Sequence, residues 1–221
     1  MGKLEKMLLL TFACLFVFIV FQYKNRVENT NSEVSKDIKR IAITFDDGPE
    51  GNYTKQLLDG LKERGVKATF FVLGKSIVGN EDLILRMYEE GHLIGNHTYN
   101  HVELDKENDE NGVKEIERTN EIIKQITGYE PEFIRPPFGA WRKEQMNQVD
   151  MFPVMWTIDP LDWKYQNTEY VVNHILNNVK DGDIILLHDI FETSVEAALI
   201  VIDRLQEQGY EFVTVDELML D

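Results

Sequence analysis

From Arg40 onward the chain alternates between short apolar runs, typical of strands, and amphipathic segments, typical of helices. Strands separated in sequence by helices pair in parallel, so this pattern predicts an α/β fold with helices outside the sheet. Both a closed or partly closed (β/α) barrel and an open doubly wound sheet fit it. The predicted strands are residues 41–45, 68–73, 93–95, 132–135, 152–157, 184–187 and 211–214, and the predicted helices are residues 53–62, 83–90, 113–126, 169–179 and 195–206.

Polar and ionisable side chains follow five of the predicted strands. In a β/α barrel, catalytic groups collect at the carboxyl ends of the strands, and stability alone does not require this placement. The pattern therefore favours a barrel with a functional site at that end. The groups are Asp46–Asp47, Asn96–His97, Arg135, Asp159 and His188–Asp189.

Composition excludes several other kinds of site. The 221 residues include 23 Lys and Arg against 39 Asp and Glu, a net charge of −16. A surface that binds nucleic-acid phosphates needs clustered cations, so nucleic acid is not an expected partner. Cys14 is the single cysteine, which excludes an intrachain disulfide and a Cys-based zinc site. Any metal ion must be held by His and carboxylate ligands.

The amino-terminal segment differs from the rest of the chain. Lys3 and Lys6 precede an apolar run over residues 7–21, and no small-residue cleavage site follows closely. Residues 1–23 are therefore predicted to form an uncleaved, single-pass membrane anchor with its amino terminus inside, a removed signal peptide being the alternative. Either interpretation places the remaining chain outside the cytoplasm, secreted if the segment is cleaved. Residues 24–38 are predicted to be a polar linker, and residues 39–221 the catalytic domain.

Two motifs contain candidate metal ligands. Asp46 and Asp47 are adjacent before Gly48–Pro49, whose turn can bring both carboxylates into one pocket; an ordinary Asp-rich turn is the plain alternative. His97 and His101 are four residues apart, which predicts one face of a helical turn with both imidazoles reaching one ion. With one of the two aspartates they form a His₂Asp set.

Three further motifs supply other chemistry. In the run from Arg135 to Gly139, a fixed cation at a strand end can hold a carboxylate in its ionised form. The run from Trp156 to Trp163 offers aromatic walls for a sugar ring together with two acids. His188 follows an apolar strand, a placement that suits a general acid whose pKa is set by a neighbouring carboxylate. A surface Arg, core Trp residues and a core His are the respective alternatives, and His92 and His174 are interpreted as structural.

Together the blocks TFDDGP, HTYNH, RPPFG, DPLDW and LLHD, in this order, resemble the polysaccharide deacetylase family, which shares the chitooligosaccharide-deacetylase homology domain. The resemblance covers about residues 39–221. It implies a distorted (β/α) barrel with about seven parallel strands and hydrolysis of N-acetyl groups from the amino sugars of a polysaccharide, releasing acetate.

The resemblance also implies a role for each matched position. Asp47, His97 and His101 would bind a divalent metal ion, zinc first, with cobalt, manganese or nickel as alternatives. The implied catalytic residues are Asp46 as general base, Arg135 as its charged partner, His188 as general acid and Asp162 as the residue that tunes His188. The implied substrate-binding residues are Pro137, Phe138, which supplies a backbone N–H to the oxyanion, Trp163 and Leu186. Phe138 stands where relatives often have Tyr, which leaves the backbone donor intact.

Other functions remain open from the sequence. An O-acetyl esterase acting on xylan or another acetylated glycan could use the same residues, and a sugar-binding module could keep the metal site for structure alone. A metallophosphoesterase is disfavoured because the acid after His97 and the early Asp-x-His of that class are absent. The expected outward location favours peptidoglycan as the N-acetylated substrate, with chitin-type oligosaccharides or an exopolysaccharide as alternatives. No feature indicates an oligomer, so a monomer is expected.

Overall fold

The computed structural model describes residues 38–219, and its elements alternate along the chain. The strands are β1 (Lys39–Asp46), β2 (Thr69–Val72), β3 (Leu93–Asn96), β4 (Phe133–Ile134), β5 (Phe152–Pro153), β6 (Ile184–His188) and β7 (Tyr210–Phe212). The helices are α1 (Tyr53–Arg64), α2 (Gly74–Ile77), α3 (Glu81–Glu89), α4 (Asp109–Thr127), α5 (Lys143–Val149), α6 (Asp162–Tyr165), α7 (Thr168–Asn178), α8 (Glu192–Glu207) and α9 (Val215–Met219), with a 3₁₀ turn at Pro137–Gly139.

All strand pairs are parallel, and the sheet order is β5-β4-β3-β2-β1-β6, with β7 paired to the start of β1. Beyond β5 the chain crosses to β6, where Ile158 forms a parallel bridge with Ile185. The sheet therefore curls into a distorted barrel whose β5–β6 seam is closed by a connecting segment instead of a full ladder. The predicted parallel α/β fold with about seven strands is confirmed.

The core explains why the strands read as continuous apolar runs. Residues of β1 from Ile41 to Phe45 are all buried, because one face lines the interior and the other meets helices. Helix α1 buries Leu57, Leu58 and Leu61 on one side and ends at Gly65, whose φ of 64° suits glycine. This packing holds the strand ends in a fixed register.

The register places the polar strand ends side by side. Asp46 of β1 lies opposite His188 of β6, and Asn96 of β3 lies opposite Ile134 of β4, which directly precedes Arg135. Because the strands are parallel, these residues share the carboxyl edge of the barrel.

Several boundaries differ from those predicted. Strand β5 has two residues instead of the predicted six, because the chain after Pro153 leaves β4 to approach β6. The sequence also gave no prediction of the short helices α2, α5, α6 and α9. The predicted anchor at residues 1–23 and the linker, apart from Ile38, lie outside the described residues. Within residues 38–219, none of the helices combines the length and apolar character needed to cross a membrane.

Candidate active site

The first ligand segment is the turn after β1. Asp46 is 3% exposed, and Asp47 has a φ of 74°, a left-handed conformation that reverses the chain direction. Asp tolerates this region better than most residues. The turn brings both carboxylates to the same cleft, as the sequence predicted.

The second ligand segment is the loop after β3, and here the prediction of a helical turn is wrong. Residues 97–101 contain no helix, and Thr98 and His101 have φ values of 66° and 65°. The buried Asn96 side chain accepts a hydrogen bond from the Thr98 backbone at 2.7 Å, and its amide donates to Ile116 O at 2.8 Å. The loop, held in place from α4, brings both imidazoles together.

These two segments form one cluster of ligand atoms. Asp47 Oδ1 lies 3.4 Å from His97 Nε2 and 3.4 Å from His101 Nε2. One ligand atom from each of the three residues lies within 4.8 Å of the others. Among residues 38–219, this is the single group of its kind.

The donor set fits a divalent cation. His97 Nδ1 lies 2.5 Å from Arg135 O, and because a carbonyl only accepts, Nδ1 carries the hydrogen and Nε2 keeps its lone pair. Burial lowers the pKa of His97 to about 3, so its ring is neutral, as a ligand must be. Asp47 Oδ1 is buried without a hydrogen-bond partner, which is costly unless a cation approaches it.

Asp46 stands beside this cluster and pairs with a buried arginine. Arg135 Nη1 donates to Asp46 Oδ1 at 2.9 Å and to Thr44 Oγ1 at 2.6 Å, and the Arg135 guanidinium lies 4.3 Å from the Phe71 ring centroid. Asp46 Oδ2 lies 3.8 Å from His97 Nε2. Burial raises the pKa of Asp46 above its usual value, and the Arg135 charge opposes that rise. The result is a fixed carboxylate with one oxygen directed toward the ligand cluster.

His188 lies on the adjacent strand end with a carboxylate behind it. His188 Nδ1 lies 2.8 Å from Asp162 Oδ1, and the buried Asp162 also accepts from the His188 backbone N–H at 2.8 Å and from Ser194 Oγ at 2.6 Å. Burial alone would lower the pKa of His188, but Asp162 outweighs it and raises the pKa to about 9. The imidazole is therefore protonated at neutral pH.

A cleft of about 500 Å³ opens over these groups. The predicted residues Phe138, Trp163 and Leu186 line it, whereas Arg135 and Asp162 lie behind Asp46 and His188. Pro137, which was also predicted to bind substrate, is buried in the 3₁₀ turn and is not among the residues that line the cleft. The full lining is Asp46, Asp47, His97, His101, Pro136, Phe138, Trp156, Asp159, Trp163, Leu186, His188 and Phe191.

Two aromatic side chains form exposed walls of the cleft. Phe138 is 67% exposed, with a φ of 59°, and its ring centroid lies 4.7 Å from that of His101. Trp163 is 49% exposed at the start of α6. Exposed aromatic faces near polar groups are suited to stacking on sugar rings.

The sequence analysis assigned no role to several residues of the site. Ser194 Oγ donates to Asp162, but an isolated Ser is too common to single out. Thr44, whose hydroxyl accepts from Arg135, begins the TFDDGP block. Phe191 lies two residues after the LLHD block, and this position was the single feature that could have indicated its place in the cleft. Trp156 and Asp159 lie in the run that was predicted to offer aromatic walls and acids, but neither was named as a site residue.

The family model described as polysaccharide deacetylase matches residues 33–154, more than half of the chain. The chain belongs to the polysaccharide deacetylase family. The match includes both metal-ligand segments and Arg135, while Asp162 and His188 lie beyond it and are placed by the structure.

Several similar relatives are named as peptidoglycan deacetylases of bacteria. The peptidoglycan-N-acetylglucosamine deacetylase PgdA of Listeria monocytogenes is 42% identical over 184 residues, 83% of this chain and 40% of its own. The peptidoglycan-N-acetylmuramic acid deacetylase PdaC of Bacillus subtilis is 42% identical over 84% of this chain and 40% of its own. This chain thus spans about 40% of the length of those relatives.

Two further matches cover most of the matched chain. A peptidoglycan-N-acetylglucosamine deacetylase of Bacillus cereus is 39% identical over 85% of this chain and 91% of its own. The solved structure of PdaC superposes with a TM-score of 0.81 at 41% identity, covering 84% of this chain and 92% of that one. The similarity therefore extends over the whole described barrel.

Proposed function

We propose that this chain hydrolyses N-acetyl groups from the amino sugars of peptidoglycan, with a divalent metal ion bound by Asp47, His97 and His101. The single observation that carries this proposal is the arrangement around the ligand cluster. Asp46 lies beside the ligand cluster without belonging to it, and the protonated His188 lines the same cleft. A base and an acid beside a cation site form a set suited to amide hydrolysis.

The metal ion would supply Lewis acidity, polarising the acetyl carbonyl and lowering the pKa of a water molecule beside it. Zinc suits the His₂Asp donor set, and cobalt, manganese or nickel are alternatives. The Arg135 carbonyl orients the His97 ring so that its Nε2 faces the ligand cluster.

Asp46 acts as the general base. Its Oδ1 is held by Arg135, which leaves Oδ2, 3.8 Å from His97 Nε2, to accept the proton of the attacking water. Because burial raises the pKa of Asp46, the carboxylate is a better proton acceptor than an exposed aspartate. The ion pair with Arg135 opposes this rise in the pKa and favours the ionised form of Asp46.

His188 acts as the general acid. An amine leaves an amide carbon only after it gains a proton, and the imidazolium beside Asp162 can deliver one. Asp162 fixes the ring through Nδ1, so Nε2 carries the proton directed away from Asp162. Acetate and a free amino sugar are then the products.

The walls of the cleft suit a sugar ring. Trp163 and Phe138 offer exposed aromatic faces, and Leu186 supplies an apolar surface for the acetyl methyl group. The family resemblance assigns the backbone N–H of Phe138 to the oxyanion. Peptidoglycan is the proposed polymer because similar relatives carry that substrate in their names. We further propose a monomer held at the outer face of the cell membrane by residues 1–23.

Acetate release by the purified full-length chain tests the proposal. The substrates are N-acetylated peptidoglycan, N-acetylglucosamine oligosaccharides and acetylated xylan, each with the untreated protein, with a chelator and after readdition of Zn²⁺. We expect acetate from peptidoglycan, loss with chelator and recovery with Zn²⁺, and mass spectrometry should show fragments lighter by one acetyl group.

Each alternative gives a different result. Release from xylan alone would identify an O-acetyl esterase. Binding of the glycan without acetate from any substrate would identify a sugar-binding module. Turnover unaffected by chelation would contradict the metal site.

A further inference from the structure

Asp189 is a buried carboxyl group that the proposed reaction does not use. It follows His188 at the end of β6, is 1% exposed and does not line the cleft. Its Oδ1 has no hydrogen-bond partner. Burying an oxygen of this kind without a partner opposes folding, so stability alone does not account for an aspartate here.

The other oxygen of Asp189 is bonded to helix α1. The Thr54 hydroxyl donates to Asp189 Oδ2, and the same Thr54 oxygen accepts the backbone N–H of Glu50 at 2.8 Å. One hydroxyl thus connects the chain just after the Asp46–Asp47 turn to the carboxyl at the end of β6. Thr54 and Asp189 are 135 residues apart in sequence.

The carboxyl of Asp189 also fills the space beside Gly48. A Cβ atom at Gly48 would lie 2.3 Å from Asp189 Oδ1 and 2.4 Å from Oδ2, so any larger residue there would displace the carboxyl. Gly48 directly follows Asp47 in the turn. Asp189 therefore packs against the backbone that carries both catalytic-site aspartates.

Two hydrogen bonds from the segment that follows β2 also hold the turn. Leu73 N donates to Gly48 O at 3.0 Å, and Ser76 Oγ donates to Asp47 O at 3.2 Å. These two bonds hold the carbonyl groups of Gly48 and Asp47. The left-handed backbone of Asp47 persists only when its surroundings hold it from both sides.

We propose that Asp189 is a positioning residue that, through Thr54 and Gly48, holds Asp46 and Asp47 in place opposite His97 and His101. The inference rests on the proposed function, since it assigns Asp189 to the same site. It goes further by making metal affinity depend on a residue that belongs neither to the ligand group nor to the lining of the cleft. Partners that orient ligands commonly change metal affinity by about 10- to 100-fold.

The test compares Zn²⁺ affinity in variants of the full-length chain, measured by competition with a chromophoric chelator. Thr54→Val removes the hydroxyl at constant shape, and Asp189→Ala removes the carboxyl. The matched control is Thr69→Val, since Thr69 is also buried and accepts the Val215 N–H at 3.0 Å, but at the amino end of β2. Thr54→Ser keeps the hydroxyl and serves as the rescue.

We expect Thr54→Val and Asp189→Ala each to weaken Zn²⁺ binding about tenfold or more, with Thr69→Val and Thr54→Ser within about twofold of the unaltered protein. The double variant should bind no more weakly than the worse single one, because both changes break the same contact. The absorption spectrum of bound Co²⁺ should change in the two variants alone.

The inference would be overturned if Thr54→Val and Asp189→Ala both bound Zn²⁺ within twofold of the unaltered protein. It would also be overturned if Thr69→Val lost as much affinity, because that would indicate general destabilisation. If Asp189→Ala does not fold, Thr54→Val and Thr54→Ser decide the matter. The proposed function fails separately: an unaltered protein that binds Zn²⁺ but releases no acetate would refute the activity while the affinity comparison still stands.

Discussion

Two buried histidines occupy opposite ends of the same strand. His92 precedes β3 at the amino end of the barrel, and His97 follows it at the carboxyl end. Burial lowers the pKa of both rings, to about 4 for His92 and about 3 for His97. By exposure and pKa the two are alike, yet their surroundings give them different chemistry.

The difference lies in which nitrogen keeps a free lone pair. His92 Nδ1 accepts the Ala68 N–H at 3.1 Å, so its acceptor is used by the backbone. His97 donates from Nδ1 to a carbonyl and directs its Nε2 lone pair toward Asp47. The comparison shows that burial and a neutral ring do not by themselves make a histidine a candidate metal ligand; its second nitrogen must also face other donor atoms.

The largest effect is expected for Asp46→Asn, which tests whether the carboxyl end of the barrel is catalytic. Asp46→Asn keeps the shape and the Arg135 contact but removes the proton acceptor, so acetate release should fall roughly 10³-fold. Zn²⁺ affinity should change little, because Asp46 is not one of the three ligands. Initial rates and chelator competition check both, and a near-normal rate would refute the general-base assignment.

The next effect sharpens the contrast between ligand and structural histidine. His101→Ala removes one of three donors, so Zn²⁺ affinity should fall by more than about 100-fold, exceeding the usual cost of losing an orienting partner. Activity should return in part at high Zn²⁺ concentration. Affinity equal to that of the unaltered protein would mean that the cluster does not bind the ion.

The sequence predicted most of the residues at the carboxyl end of the barrel, but not the conformation of every loop there. The alternation of apolar runs indicated the parallel barrel, and parallel register then placed Asp46 beside His188. The conformation of the His97–His101 loop was not accessible, because it depends on Asn96 contacts to a helix 20 residues away. For the same reason, the Thr54–Asp189 contact has no local signature.

A smaller effect is expected for Asp162→Asn, which changes the pKa of the proposed general acid His188. Asp162 raises the pKa of His188 to about 9, so the ring is protonated below that pH and activity falls as pH rises through it. In Asp162→Asn the raising charge is gone and burial lowers the pKa, so the alkaline limb of the pH–rate profile should move to lower pH. Turnover at neutral pH should fall about 10- to 100-fold.

Ser194→Ala is the matched control for that change, since it removes one hydrogen bond to Asp162 and keeps the charge. Its alkaline limb should stay near that of the unaltered protein. An unmoved limb in Asp162→Asn would mean that another group delivers the proton.

The smallest effect on activity is expected at the amino end. His92→Ala leaves the buried Ala68 N–H without its acceptor and removes a ring packed 5.4 Å from Phe70, so the free energy of unfolding should fall by about 2 kcal/mol. Zn²⁺ affinity and turnover should remain within about twofold. Chemical denaturation and chelator competition measure the two, and a loss of affinity here would erase the distinction between the ends.

The incomplete ladder between β5 and β6 has a consequence for diversification of this scaffold. Trp156, Asp159 and Trp163 all belong to the stretch that crosses this gap, while the proposed metal ligands follow β1 and β3. Connecting segments accept insertions and replacements more readily than paired strands do. Changes in this stretch can therefore alter one wall of the cleft while the proposed metal ligands and the proposed base stay in place.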